Sequence, residues 1–368
     1  MQTFHAVNTG DYVSTSSSQI RIEVNVDKEC IDFENTYLVF DLSAAGATAD
    51  SKTFEASAWM RDIRVYDRAG REIGEQVRQY NAYCKKQFEL LGNDGANANY
   101  LNVLEGAAGR TNINGAKVEY AHKLITHIFD LKSYFPAHLI GGLIIEIDME
   151  STANTYTDSA TSYTVGNVRL ITDLVLLKAD AEAQLRSQVA SGGLEINYES
   201  PMNMSQAITT GTSQRFDLGV ANGHVKKIES FMVLDSAEYL AAFAQNNLSA
   251  YRFRLGSEYL TEKDVQISST RQAEYLIEYL KANNLDSADI KHFYGDSGLT
   301  LSNWFVIGQK VEISKDASVL SGRRDMQSNT IYAELTFSSA PANATLFTQV
   351  LLDKTLVIKS NREFENRS

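Results

Sequence analysis

Six histidines, two cysteines and one run of alternating acids are the side chains of this sequence most suited to chemistry. The histidines are His5, His122, His127, His138, His224 and His292. No two are four residues apart, the spacing that puts paired imidazoles on one helical face for zinc, and neither cysteine has a metal-ligand partner nearby. His122, His127 and His138 flank "KLITHIFD" and read more simply as partly buried or interfacial imidazoles than as a metal site. The run "EIDME" sets Glu146, Asp148 and Glu150 on one face of a strand, where paired carboxylates could serve glycoside hydrolysis or hold calcium. The intervening Ile145, Ile147 and Met149 favour a plainer reading, a solvated acidic side behind a buried apolar one. Trp59 and Trp304 stand at strand positions and read as core packing in preference to sugar platforms. No glycine-rich phosphate loop and no nucleophile elbow is present. The sequence therefore nominates no catalytic residue, no cofactor-binding residue and no metal ligand, and it predicts a protein that is not an enzyme and uses no cofactor.

The composition narrows the partners. At 368 residues there is room for two ordinary domains, each with its own core. A net charge of −12 argues against a broad phosphate-binding surface, and neither end carries a basic arm, so direct sequence-specific nucleic-acid binding is not expected. Cys30 and Cys84 lie in unlike contexts and are expected to be buried free thiols. The first residues lack the pattern of a secretory signal, and the longest apolar run, "HLIGGLIIEID", is too short to cross a bilayer and contains Glu146. Synthesis and folding in a reducing cytoplasm are expected.

Period-2 alternation dominates the elements that must position these residues. Strands are predicted at 19–26, 36–42, 59–67, 123–130, 139–149 and 167–178, and again at 194–199, 213–220, 225–234, 251–256, 304–313, 330–337 and 346–359. Two stretches break the pattern. Residues 73–91 carry a helical stripe of Ile73, Val77, Tyr80, Cys84, Phe88 and Leu91. Residues 270–284 carry another, with Leu276, Ile277 and Leu280 expected inside.

The order of parts suggests one plan used twice. Both halves open on a Ser-Gln strand, "SQIRIEVNV" at 18 and "SQRFDLGV" at 213, an offset of 213 − 18 = 195. "MRDI" at 60 is matched with "VKKI" at 225, each half then holds a helix, and each closes on a long apolar strand. Long loops at 91–117 and 285–303 are insertions of the functional or interfacial kind. The expected architecture is all-β: two tandem eight-stranded jelly-roll β-sandwiches with a short helix in each. Residues 1–17 form an N-terminal arm, 18–179 the first jelly roll, 180–193 a helical connector, and 194–368 the second jelly roll with its tail.

Four stretches carry a family resemblance: "SSSQIRIEVN" followed by "TYLVFDLSA", "WMRDIRVYDRAGREIGEQVRQYNAY", "LSAYRFRLGSEYLTEKDV" with "RQAEYLIEYLKA", and "VLSGRRDMQSNTIYAELTF" with "LFTQVLLDKTLVIKS". In that order the chain resembles the double jelly-roll major capsid proteins of icosahedral viruses, the lineage shared by tailless membrane-containing phages and adenovirus. The resemblance implies homotrimers whose six jelly rolls give a nearly hexagonal capsomer, tiling a virion shell. It implies as partners other copies of the chain, neighbouring capsomers, other capsid proteins such as pentons, and an internal lipid membrane. The competing expectation is a pair of β-sandwich carbohydrate-binding modules, which would be monomeric; a jelly-roll glycosidase would need converging carboxylates.

Overall fold

Alternating apolar residues bury one face of strands such as Gln19–Val24 and Thr330–Phe337, and such faces assemble two sandwiches. The computed structural model describes residues 1–45, 56–74, 76–91, 117–125, 127–152, 162–220, 224–236, 243–268, 270–271, 273–283, 305–311, 324–325, 330–360 and 363–367. Most of the loop expected at 91–117, all of that at 285–303, and Trp304 and His292 lie outside the described residues. The packing divides into two units, Met1–Phe88 with Asp94–Ser200 and Lys354–Arg367, and a second built chiefly from Pro201–Asp353.

The first unit holds β1 (Gln2–His5), β2 (Tyr12–Val13), β3 (Gln19–Val24), β4 (Cys30–Ala45), β5 (Met60–Asp67), β6 (Val118–His122), β7 (Leu143–Met149) and β8 (Ser162–Val175). Helix α1 (Tyr80–Leu91) lies between β5 and β6, and helix α2 (Ala179–Ser191) follows β8. One sheet runs β3-β7-β5 and the other β1-β8-β4-β6, with β2 beside β8. Their inward residues, among them Ile22, Ile63 and Ile147 from one sheet and Phe40, Tyr120 and Val165 from the other, form a single buried cluster.

The chain then enters β9 (Leu194–Ile208), which begins in the first unit and ends in the second. After it come β10 (Ser213–Val220), β11 (His224–Leu234), β12 (Leu248–Leu255), β13 (Glu258–Tyr259) and β14 (Val265–Gln266). Helix α3 (Ala273–Asn283) precedes β15 (Val306–Lys310), β16 (Arg324–Asp325), β17 (Thr330–Phe337), β18 (Ala344–Ile358) and β19 (Phe364–Arg367). One sheet runs β10-β17-β12-β13 with β14 beside β12; the other runs β15-β11-β18-β19 with β16 on β11 and β9 on β18.

The two units share one strand order. The path β3-β7-β5 corresponds to β10-β17-β12, and β8-β4-β6 to β18-β11-β15, with α1 and α3 in the same connection. Corresponding elements start between 182 and 194 residues apart, from 162 and 344 for β8 and β18 to 30 and 224 for β4 and β11. This is the tandem jelly roll, all-β, that the alternation predicts.

The correspondence corrects two matches made on sequence. "MRDI" lies in β5 and "VKKI" in β11, which are not equivalent; the counterpart of β5 is β12. The shared Ser-Gln is also one residue out of step. Ile22 and Val24 are buried in β3, and Phe216 and Leu218 in β10, so Arg21 answers Arg215. A slip of one residue exchanges the faces of a strand, and inward burial outranks a matching dipeptide.

Other elements also differ from expectation. Residues 123–130 are not a strand: β6 lies just before them, and His127–Asp130 form a 3-10 turn. A second 3-10 turn, Ala137–Ile140, replaces the start expected for β7. The stripe at 73–91 is helical only from Tyr80; Ile73 and Val77 instead bond back to Val65 and Ile63 in extended form. The side chain of Asp62 accepts the Gln79 N–H at 2.9 Å, where the chain turns into the helix. In α3 the buried side chains are Tyr275, Tyr279 and Ala282, while Ile277 is 49% exposed. Tyr275 takes the inward face with its ring tilted against that of Phe305, the centroids 5.4 Å apart.

Residues 1–17, expected as an arm, are bound into the first unit. β1 pairs along β8 from Gln2↔Thr172 to His5↔Arg169, the Ala6 N–H donates to Val168, and Phe4, Ala6 and Tyr12 are buried.

Candidate functional site

The acidic run lies on the central strand of a three-stranded sheet, so both of its neighbours can reach it. Register places Arg21 of β3 and Arg64 of β5 directly opposite Glu146 of β7. Arg21 Nη1 reaches Glu146 Oε1 at 3.0 Å. Arg64 Nη2 crosses diagonally to Asp148 Oδ2 at 2.9 Å, Arg61 stands 3.5 Å from the same oxygen, and Gln19 Nε2 donates to Oδ1 at 3.2 Å. Burial pulls the Arg64 guanidinium down, yet the Asp148 charge beside it holds it above its ordinary range.

Glu150 points elsewhere. Its Oε2 accepts from Asn81 at 3.1 Å and its Oε1 from the Ser151 N–H at 2.8 Å. The expectation of a solvated acidic side is thus corrected: Asp148 is 8% and Glu150 5% exposed, because guanidinium and amide groups from adjacent elements cover them. With Glu146 on Arg21 and Asp148 on Arg64, the arrangement on β7 is that of a sheet-spanning ion-pair ladder.

The histidines separate into distinct surroundings. His5 is exposed, and the side chain of His127 lies outside what is described. His122 is fully buried at the end of β6, its Nε2 2.8 Å from the Tyr80 hydroxyl. The same hydroxyl accepts the Ile125 N–H at 3.0 Å, so Tyr80 ties the buried ring to the backbone beyond β6. Cys84 Sγ lies 3.9 Å from the same ring nitrogen.

His138 sits between Glu182 of α2, 3.2 Å from Nε2, and the Glu29 carbonyl, 3.3 Å from Nδ1. Cys30 Sγ is 4.0 Å from Nδ1. Burial, and then the Glu182 carboxylate, push the Cys30 thiol up to about 11, so it is a protonated thiol and a poor nucleophile. Both cysteines are buried and free, as expected. Beside Cys30 an open, mostly apolar cavity of about 420 Å³ is lined by Leu131, Tyr134, Pro136, Leu185 and Ile196.

Trp59 is fully buried and meets Phe40 edge-on at 5.2 Å, which makes it core packing. Among the described residues no group of three or more His, Cys, Asp or Glu side chains could hold a metal ion, and no helix is long and apolar enough to cross a membrane.

One polar cluster escaped the sequence reading. Lys227, Glu229 and Asn283 contact one another in the second unit. Alternation puts the first two on one face of β11, but nothing in their spacing announces Asn283, 54 residues from Glu229.

No protein-family model and no curated protein matches the chain. Solved structures do. The capsid of PBCV-1 is similar over 100% of this chain and 96% of its own, with a TM-score of 0.68 at 10% identity. The Faustovirus major capsid protein is similar over 97% of this chain and 90% of its own, with a TM-score of 0.64 at 8% identity. The mavirus major capsid protein covers 99% and 89%, with a TM-score of 0.53 at 11% identity. The fold of this chain, from end to end, is the double jelly roll of those capsid proteins.

Proposed function

We propose that the protein is the major subunit of an icosahedral capsid shell and acts by assembly. The observation that carries the reading is the duplicated jelly roll spanning the whole chain, with structural likeness to capsid proteins over 96% of the PBCV-1 subunit. In this reading three copies form a capsomer whose six similar sandwiches tile like a hexagon, and capsomers meet one another and penton-type proteins in the virion. The acidic net charge of −12 suits a wall separated from the genome by a membrane or another protein layer. The functional chemistry is burial of complementary surface, on the order of 1,000 Å² or more per stable contact.

The internal arrangement of polar groups supports a structural part. The carboxylates of the β7 ladder are held by arginines, His122 is locked by Tyr80, and Cys30 is kept protonated. These are features of a wall whose polar side chains are committed to one another.

Size-exclusion chromatography with light scattering tests the reading. A stable trimer that persists in chelator is expected. A monomer that binds a glycan would replace this reading with the carbohydrate-binding one, and trimers that dissolve in chelator would mean that an ion holds the capsomer together. Images of purified particles built on a hexagonal lattice are the corresponding expectation for the shell.

A further inference from the structure

Lys227, Glu229 and Asn283 form a closed ring in the second unit. Lys227 and Glu229 share a face of β11, two residues apart, and Asn283 is the last residue of α3, which packs against that strand. Lys227 Nζ donates to Asn283 Oδ1 at 2.5 Å and lies 3.0 Å from Glu229 Oε2. Asn283 Nδ2 donates to Glu229 Oε1 at 2.7 Å and to the Tyr279 carbonyl at 3.1 Å, which fixes the orientation of the amide. The Glu229 side chain is 1% exposed and that of Lys227 15%.

We propose that Lys227 and Asn283 become joined by an isopeptide bond, with Glu229 as the proton carrier. The carbonyl carbon lies one C=O bond, about 1.23 Å, beyond Oδ1, so Nζ is no more than about 3.7 Å from Cγ, close to a near-attack separation. A carboxylate with one oxygen on the amine and the other on the leaving nitrogen can serve both ends of the substitution. Glu229 itself is almost wholly buried, so little water competes with Lys227 and Asn283 for its two oxygens.

The chemistry balances without any outside reagent. Glu229 takes one proton from the Lys227 ammonium, and the freed amine forms the Nζ–Cγ bond. Glu229 returns its proton to Nδ2, and the Cγ–Nδ2 bond breaks with the electron pair leaving on nitrogen. The second amine proton follows the departing nitrogen through Glu229. An ammonium side chain and a primary amide thus become a secondary amide and one ammonium ion, and Glu229 ends as the carboxylate it began as.

A helix-ending asparagine needs only a backbone or solvent partner. Here both carboxylate oxygens are taken up by the two groups that would react, and the ring ties a strand to a helix 56 residues further along the chain.

Intact mass spectrometry of the folded, full-length protein after incubation at neutral pH decides the matter. The expected mass is one ammonia, ~17 Da, below that of the sequence, with a digest yielding a branched peptide that joins Lys227 to Asn283. A wild-type protein that keeps its full mass, with both peptides recovered unlinked, overturns the proposal. So does a ~17 Da loss that maps to any other residues. Glu229→Gln is expected to fold, judged by its circular dichroism, and to keep the unlinked mass. Branched peptide from that variant at the wild-type yield would remove Glu229 from the reaction. Should the variant not fold, the wild-type mass and digest still decide whether the bond forms.

Discussion

Asp148 draws two arginines and a glutamine onto one carboxylate, and so converts the most suggestive acidic run of the sequence into a support. Asp148→Ala strands Arg64, whose side chain is only 25% exposed, and is expected to destabilise the fold by about 1–3 kcal/mol, read from the urea midpoint. Gly142 is more sharply constrained. It sits at φ 113°, and a Cβ there would lie 2.3 Å from the Val24 carbonyl oxygen, so Gly142→Ala should lower the yield of folded protein far more than Gly10→Ala, where the space is open. Alkali provides a third test. The Cys30 thiol titrates near 11 in the folded chain against an ordinary value of 9, and burial raises Tyr163 and Tyr251 as well. The unfolded chain releases these protons first, so the stability they allow is complete below pH 9 and declines as pH rises through 11. Cys30→Ala should flatten that decline by roughly 2 kcal/mol, measured by denaturation at stepped pH.

The first strands show what an element contributes that its residues do not advertise. Removing residues 1–13 strips β1 and β2 from β8 and withdraws Phe4 and Tyr12 from the core. A loss of roughly 3–6 kcal/mol in thermal unfolding is expected, whereas a free arm would leave the melting temperature unchanged. Alternation made nearly every long strand legible, since burying one face imposes period 2 regardless of partners. It could not reveal β1 and β2, which are too short to show a period, nor the true match of β3 with β10, because a one-residue slip preserves alternation while exchanging faces. The stripe at 73–91 misled for a related reason: Ile73 and Val77 are buried as extended chain, and spacing alone does not say which backbone buried them. Among side-chain clusters, the carboxylates of β7 were visible as a run. Arg21, Arg64 and Asn283 were not, since partners supplied by strand pairing and helix packing leave no mark at fixed spacing.

At the scale of the molecule, the two units share one strand order although different side chains fill their cores, since a fold tolerates many hydrophobic choices that keep volume and patterning. The boundary between the units in sequence is less tidy than the tandem plan suggests, because the first unit includes Lys354–Arg367. Leu356 and Ile358 belong to its core, the Arg71 guanidinium lies 5.1 Å from the ring centre of Phe364, and Asn366 Nδ2 donates to the Glu72 carbonyl at 3.1 Å. A chain stopped after Asp353 is therefore expected to lose cooperative melting of the first unit, even though every strand from β1 to β8 is present; native-like protection of Ile22 and Ile147 amides in hydrogen exchange would contradict this. During synthesis the half that leaves the ribosome earliest must wait for Lys354–Arg367 before its core is complete. Chains that break off before those residues would leave the pocket for Leu356 and Ile358 unfilled, so the earliest-made half is finished only by some of the latest residues to emerge.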